Sequence, residues 1–149
     1  MLKFVRVIAG IDPDYQRHLE GIQDVFLKAF PFNSSYIDKI AHYSAGEYPP
    51  DCEVILLCAT KAGKVLGFSV TFFFADIKAS YLDYIASDPA RASRGIGGAL
   101  YEMTREDQRK RGSRRLFLDS LPDEAELLNE HELLADGRRR MAFYERLGA

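Results

Sequence analysis

Apolar and polar positions change their spacing several times along the chain, and each change predicts an element. Lys3 to Ala9 alternates as a half-buried strand does. Asp12 and Pro13 then read as a cap and a first-turn proline. Beyond them Tyr15, His18, Leu19, Ile22, Val25, Phe26, Ala29 and Phe30 fall on one face of a strongly amphipathic helix, which Pro31 stops. Asn33 or Ser34 caps a shorter helix carrying Tyr36, Ile37, Ile40 and Ala41, ended by Gly46 and by Pro49-Pro50. Three β-rich stretches follow, Glu53 to Thr60, Val65 to Ala75 and Tyr81 to Ser87, joined through Ala62-Gly63 and through Asp76 to Ala79. Connections this short predict an antiparallel meander. A glycine-rich turn at 95–98 opens a helix with Ile96, Ala99, Leu100 and Met103 inward and Gly112 at its end. After it come a strand, Leu116-Phe117-Leu118, and a helical last third from Pro122, its final helix at about 137–147.

Composition narrows the class. The 149 residues are 47% apolar and 28% charged, the balance of an ordinary globular domain, and no repeat or low-complexity tract divides residues 1–149. The expectation is a single domain. No stretch approaches the ~18 consecutive apolar residues of a membrane helix, and Met1 to Arg6 lacks a signal-peptide pattern, so a cytoplasmic protein is expected. Twenty basic against 22 acidic residues leave a net charge of -2, which gives no global reason to bind nucleic acid or an anionic membrane. Any anion site must be local. Cys52 and Cys58 flank an apolar run, on one strand face but too far apart to bridge, and read as reduced, buried thiols.

Candidate chemistry concentrates in Arg91-Ala92-Ser93-Arg94-Gly95-Ile96-Gly97-Gly98-Ala99-Leu100, between a strand and a helix. Successive backbone N–H groups and the helix dipole make an anion site there, glycine admits a phosphate close to the backbone, and Arg91 and Arg94 add charge. The plainer reading is a tight turn with a solvated basic loop. A dinucleotide fold is disfavoured because the third glycine of its motif is Leu100, and a P-loop because no G-K-[ST] follows. His18, His42 and His131 are isolated, so no metal is expected, and there is no G-x-S-x-G elbow.

The run Tyr81-Leu82-Asp83-Tyr84-Ile85-Ala86-Ser87-Asp88-Pro89-Ala90 leading into that loop, with Phe143-Tyr144-Glu145-Arg146-Leu147-Gly148, resembles the GNAT superfamily of acyl-CoA-dependent N-acetyltransferases. The order of elements agrees over nearly the whole chain. The resemblance implies an α/β (α+β) fold, a mixed, mostly antiparallel sheet flanked by helices. It implies acetyl-CoA as cosubstrate, its pyrophosphate cradled by backbone N–H groups around Ser93, Arg94, Gly95, Ile96, Gly97 and Gly98. Its pantetheine arm would pair with Ile85 to Ser87, past Ala86, as though it were another strand. Tyr144 is similar to the family's general acid, and Asp83 is the carboxylate available to take the amine's proton; the plainer readings are a core tyrosine and an exposed strand acid.

Several positions depart from the family pattern. The residue that opens the loop falls on Ala92, with Arg91 one place early, and the asparagine often found before the helix tyrosine aligns with Gly137. The family's last two strands have only Ala149 to hold them, so the expectation is a domain cut short, completed by a homodimer partner or by a C-terminal domain. Arg138-Arg139-Arg140 reads as a contact for the CoA 3′-phosphate or as a solvated face. Segment 123–136 holds six acids and no lysine or arginine, which suits a solvated helix or a lid attracting a small or lysine-like amine acceptor. The competing class is a binding module, an acyl-CoA sensor or a degenerate domain without transfer.

Overall fold

The computed structural model describes residues 1–91 and 95–118, nearly all within the compact unit Met1–Phe117; a second unit, Leu118–Ala149, begins with the last described residue. Five strands, β1 (Lys3–Arg6), β2 (Glu53–Lys61), β3 (Lys64–Phe74), β4 (Ala79–Ser87) and β5 (Arg115–Leu118), form one sheet in the order β1-β2-β3-β4-β5. The first four pair antiparallel, β2 to β4 as the predicted meander and β1 against β2. Two residues close the β2–β3 hairpin, Ala62 at φ 50° and Gly63 at φ 78°. Positive φ at both positions matches the twist of the flanking strands. The Arg114 amide donates to the Lys78 carbonyl at 2.7 Å, so β4 and β5 set out side by side in the same direction. The helix between them, α3 (Ile96–Lys110), makes the crossover.

Helices cover both faces, which is why β2 from Val54 to Thr60 is buried without interruption. On one face lie α1 (Tyr15–Ala29) and α2 (Tyr36–Ser44), burying Ile22, Val25, Phe26 and Ile40 against Val54, Leu56, Phe68 and Val70. α3 takes the other face, and its buried stripe corrects the sequence reading. Met103, expected inward, is exposed, while Thr104 and Gln108 are buried. The stripe runs Ile96, Leu100, Thr104, Gln108 at intervals of four, and its polar members are tolerated because the sheet supplies partners. Ser69 Oγ lies 2.8 Å from Thr104 Oγ1, and Ser80 donates to Gln108 Oε1 at 2.6 Å.

The amino end differs in two further respects. Strand β1 stops at Arg6 rather than Ala9, because the Val7 amide makes the last bond to β2, at Leu56, and the Ala9 amide turns to Ser44. Helix α1 begins at Tyr15 with Asp14 as its N-cap, so the cap is not Asp12 as expected and Pro13 precedes the first turn; Asp12 accepts from the Asp14 amide, its other oxygen lies 2.6 Å from His18 Nδ1, and both side chains are buried. Cys58 is buried and Cys52 half-buried, both free; burial, and secondarily Asp12, push the Cys58 thiol up to about 12.

Gly67 sets the spacing of β3, β4 and α3. A Cβ there would stand 2.8 Å from the Ala86 carbonyl oxygen and 3.3 Å from both Leu100 Cδ2 and the Ser87 Cα. Backbone cannot give way as a side-chain tip can. Gly67→Ala is therefore expected to cost about 1–3 kcal/mol in urea unfolding, the range for overpacked sites.

Candidate active site

Strand β4 carries an irregularity that no alternation rule anticipates. Val70 pairs with Tyr84 and Thr71 with Leu82, so Asp83 is an extra residue without a partner on β3. A bulge of this kind turns two successive side chains toward one face. Tyr84 packs edge-on against Phe26 and Phe30 of the α1 side, and Asp83 turns the same way, accepting a hydrogen bond from the Tyr36 hydroxyl at the start of α2. Ile85, paired with Ser69, belongs to the α3 face.

Asp83 is therefore not the exposed strand acid of the plainer reading. It is half-buried, and burial raises its carboxyl above the usual carboxylate range, against the opposing pull of the Tyr36 hydroxyl and the Lys39 ammonium. Around it stand Tyr36, stacked on Phe26 with centroids 5.2 Å apart, Tyr84 at 4.4 Å from Tyr36, and Tyr43 at 6.2 Å. Burial first, and Asp83 second, push the Tyr36 hydroxyl far up, so it stays a donor at any ordinary pH. The sequence reading assigned Tyr36 only to the apolar face of α2. Its polar tip was the available signal, since a buried phenol needs a partner.

The far end of β4 meets the glycine loop. Gly95, at φ 84°, is the N-cap of α3, and among the described residues no side chain caps the helix there. A helix N-terminus of this kind carries amides that can donate to an anion. Gly97 and Gly98 sit half-buried in that turn, and Ile96 anchors it in the core. Ser87 and Ala86 are half-buried and Ile85 buried, beyond the four-residue reach of β5 among the described residues. Ser93 and Arg94 lie outside the described residues, as do Tyr144, Arg138 to Arg140 and the acidic segment.

Arg91, counted as free positive charge in the sequence reading, faces an internal partner. Its Nε is 3.9 Å from Asp88 Oδ2, which Lys28 Nζ approaches to 3.6 Å. Asp88 is 3% exposed, takes the Ala90 amide on its other oxygen and donates its own amide to Leu66. It ties the end of β4 to the loop and to α1. No group of three or more His, Cys, Asp or Glu suited to a metal occurs among the described residues, and no helix among them is long and apolar enough to cross a membrane.

A five-stranded sheet with a bulged fourth strand, followed by a glycine-capped helix, is the fold of this chain, and comparison gives its class a name. The acetyltransferase (GNAT) family model matches residues 19–149, and the chain belongs to that family. No curated protein matches the sequence.

Solved structures share the fold at low identity. An aminoglycoside acetyltransferase from an uncultured soil metagenomic sample is 19% identical with a TM-score of 0.68, over 100% of this chain and 91% of that one. The ribosomal-protein-alanine N-acetyltransferase of Brucella melitensis biovar Abortus 2308 is 16% identical, TM-score 0.61, over 100% and 92%. The PaiA N-acetyltransferase of Thermoplasma acidophilum, solved in complex with coenzyme A, is 12% identical, TM-score 0.63, over 98% and 87%.

Proposed function

We propose that this protein transfers an acetyl group from acetyl-CoA directly to an amine acceptor. The observation that carries the reading is Asp83, a half-buried carboxylate set by a bulge among aromatic side chains, on the strand that precedes α3 and its Gly95 N-cap in the chain. The coenzyme A complex of the Thermoplasma fold relative supports the choice of acyl donor. The residues present suit that donor. The first-turn amides of α3 would donate to the pyrophosphate oxygens, and the backbone of Ile85 to Ser87 would pair with the pantetheine amides.

Transfer requires a neutral amine, because an ammonium has no lone pair for the thioester carbonyl. As the N–C bond forms and the C–S bond breaks, the nitrogen loses a proton and the sulfur needs one. Asp83, in the form of its carboxylate, takes the first, directly or through water. Burial makes it a stronger base than a solvated aspartate and narrows its gap to an amine. Tyr144, by its resemblance to the family's general acid, gives the second. A phenol near pKa 10 is a suitable donor to a departing thiolate at neutral pH. No covalent enzyme intermediate is needed. The acceptor follows from the same groups: a cationic amine, small or lysine-like, is attracted by a carboxylate and by aromatic faces.

The test is release of free CoA from acetyl-CoA with a pooled panel of polyamines, aminoglycosides, lysine and peptide amines. Turnover with at least one amine above the hydrolysis background is expected. Binding of acetyl-CoA with no turnover on any of them would return the chain to the class of acyl-CoA sensors. Tyr144→Phe deletes only a hydroxyl, and turnover should fall roughly 10²-fold while acetyl-CoA affinity holds. Equal rates in the two proteins would remove the acid role.

A further inference from the structure

We propose that Tyr36 is the positioning residue for Asp83: its hydroxyl, donated from the first turn of α2 to Asp83 Oδ2, aims the carboxylate and keeps it available as a proton acceptor. This rests on the reading of Asp83 as the base. The geometry is specific. The bulge leaves Asp83 without a partner on β3, and the only hydrogen bond given to its side chain among the described residues comes from Tyr36, 47 positions away in sequence. Tyr36 in turn is fixed by its ring, stacked 17° from parallel on Phe26 and tilted against Tyr84, with the Lys39 ammonium 5.7 Å above it. A rigid aromatic carrying one polar atom is suited to hold a carboxylate at one orientation.

Without that hydroxyl a half-buried carboxylate on a bulge would be held by backbone alone and would more readily take a proton. Among the described residues, the titratable and charged groups facing it come from α2, namely Tyr36, Lys39 and Tyr43, together with its neighbour Tyr84 on β4; from α1 the packed groups are Phe26 and Phe30, and from β3 Phe72. Lys39 is the one cation among them and is exposed, so solvent screens it. Among the described residues Tyr36 alone donates to Asp83 directly. Burial and this donation pull in opposite directions on the same group, and removing the donation leaves burial unopposed except by Lys39.

Tyr36→Phe keeps the ring and its stacking and removes one oxygen. In the full chain, titration of the Asp83 carboxyl followed by carbon NMR should move upward by about one pH unit, since a hydrogen bond donated to an ionised group is worth that much or more. With acetyl-CoA and the best acceptor of the amine panel, the acid limb of the kcat/KM profile should move by the same amount. The variant would be about tenfold slower on that limb and near wild type above it. A hydroxyl that only packs would lower the rate equally at every pH and leave the limb in place.

A fluorinated tyrosine at position 36, a stronger donor of nearly the same size, should move the titration the opposite way and serves if the phenylalanine variant does not fold. An unmoved Asp83 titration in either variant overturns the inference. Asp83→Asn separates the two readings: full activity with the acid limb intact would remove Asp83 as the base, while the NMR titration would still decide whether Tyr36 governs that carboxyl.

Discussion

Acetyl-CoA is expected to raise the melting temperature of this protein by about 5–10 °C, and Gly97→Asp to abolish the rise. A ligand at ~100 times its dissociation constant adds ~2.7 kcal/mol to stability, and each kcal/mol shifts the midpoint of a chain this size by roughly 2–4 °C. Gly97 stands in the first turn of α3, two residues past the Gly95 N-cap. A carboxylate at that position has opposite effects on helix and ligand. It interacts favourably with the positive end of the helix dipole, so the unliganded variant should fold as well as the parent. It also puts a negative charge and a side chain where the pyrophosphate would lie, in competition for the same orphan amides. The signature is thus an unchanged or slightly higher melting point without ligand and no response to it. A full response in the variant would take the phosphate away from the α3 N-terminus.

The fold was legible wherever one physical signal acted alone. Leu19, Ile22, Val25 and Phe26 were assigned inward by spacing and are inward, and the short connections at Ala62-Gly63 and before Ala79 announced the meander. Where two signals competed, apolarity alone chose wrongly. Met103 looked like core beside Thr104, yet the sheet face opposite offers Ser69 and Ser80, so the polar residues are buried and the methionine is not.

The site divides in the same way. The turn and the helix it opens were readable because glycine favours such a junction, and Gly95 takes the left-handed backbone that the turn demands. Asp83 was readable only as a residue type in a strand. Its burial depends on a register shift against Val70 and Thr71, a relation between two strands that no local pattern encodes. Tyr36 was less legible still. Its role depends on a partner 47 positions on, and its spacing with Ile40 explains it fully as core until the hydroxyl is followed to its acceptor.

Asp83→Asn is expected to lower kcat/KM at neutral pH by about 10³-fold, remove the Asp83 ionisation from the acid limb of the pH profile while leaving that of the amine, and make the folded protein more stable at neutral pH. Loss of rate follows from the missing proton acceptor, within the range removal of a general base produces. The gain in stability follows from the direction of the shift. Burial raises the folded-state carboxyl above its unfolded value near 3.8, so the native chain holds that proton more tightly than the unfolded one. Stability therefore falls as pH rises through the interval between the two values, and above it the folded state carries the whole cost of the half-buried charge. Asparagine keeps the size and still accepts from the Tyr36 hydroxyl but never ionises. Its advantage should be near zero below the ordinary carboxylate range and full at neutral pH. Urea unfolding of both proteins at acid and neutral pH, with the same acetyl-transfer assay, measures each part. A residue kept for packing would lose stability on substitution at every pH; a base held at a cost to the fold loses rate and gains stability together. An unchanged rate, or a stability difference that does not grow with pH, would contradict this account of Asp83.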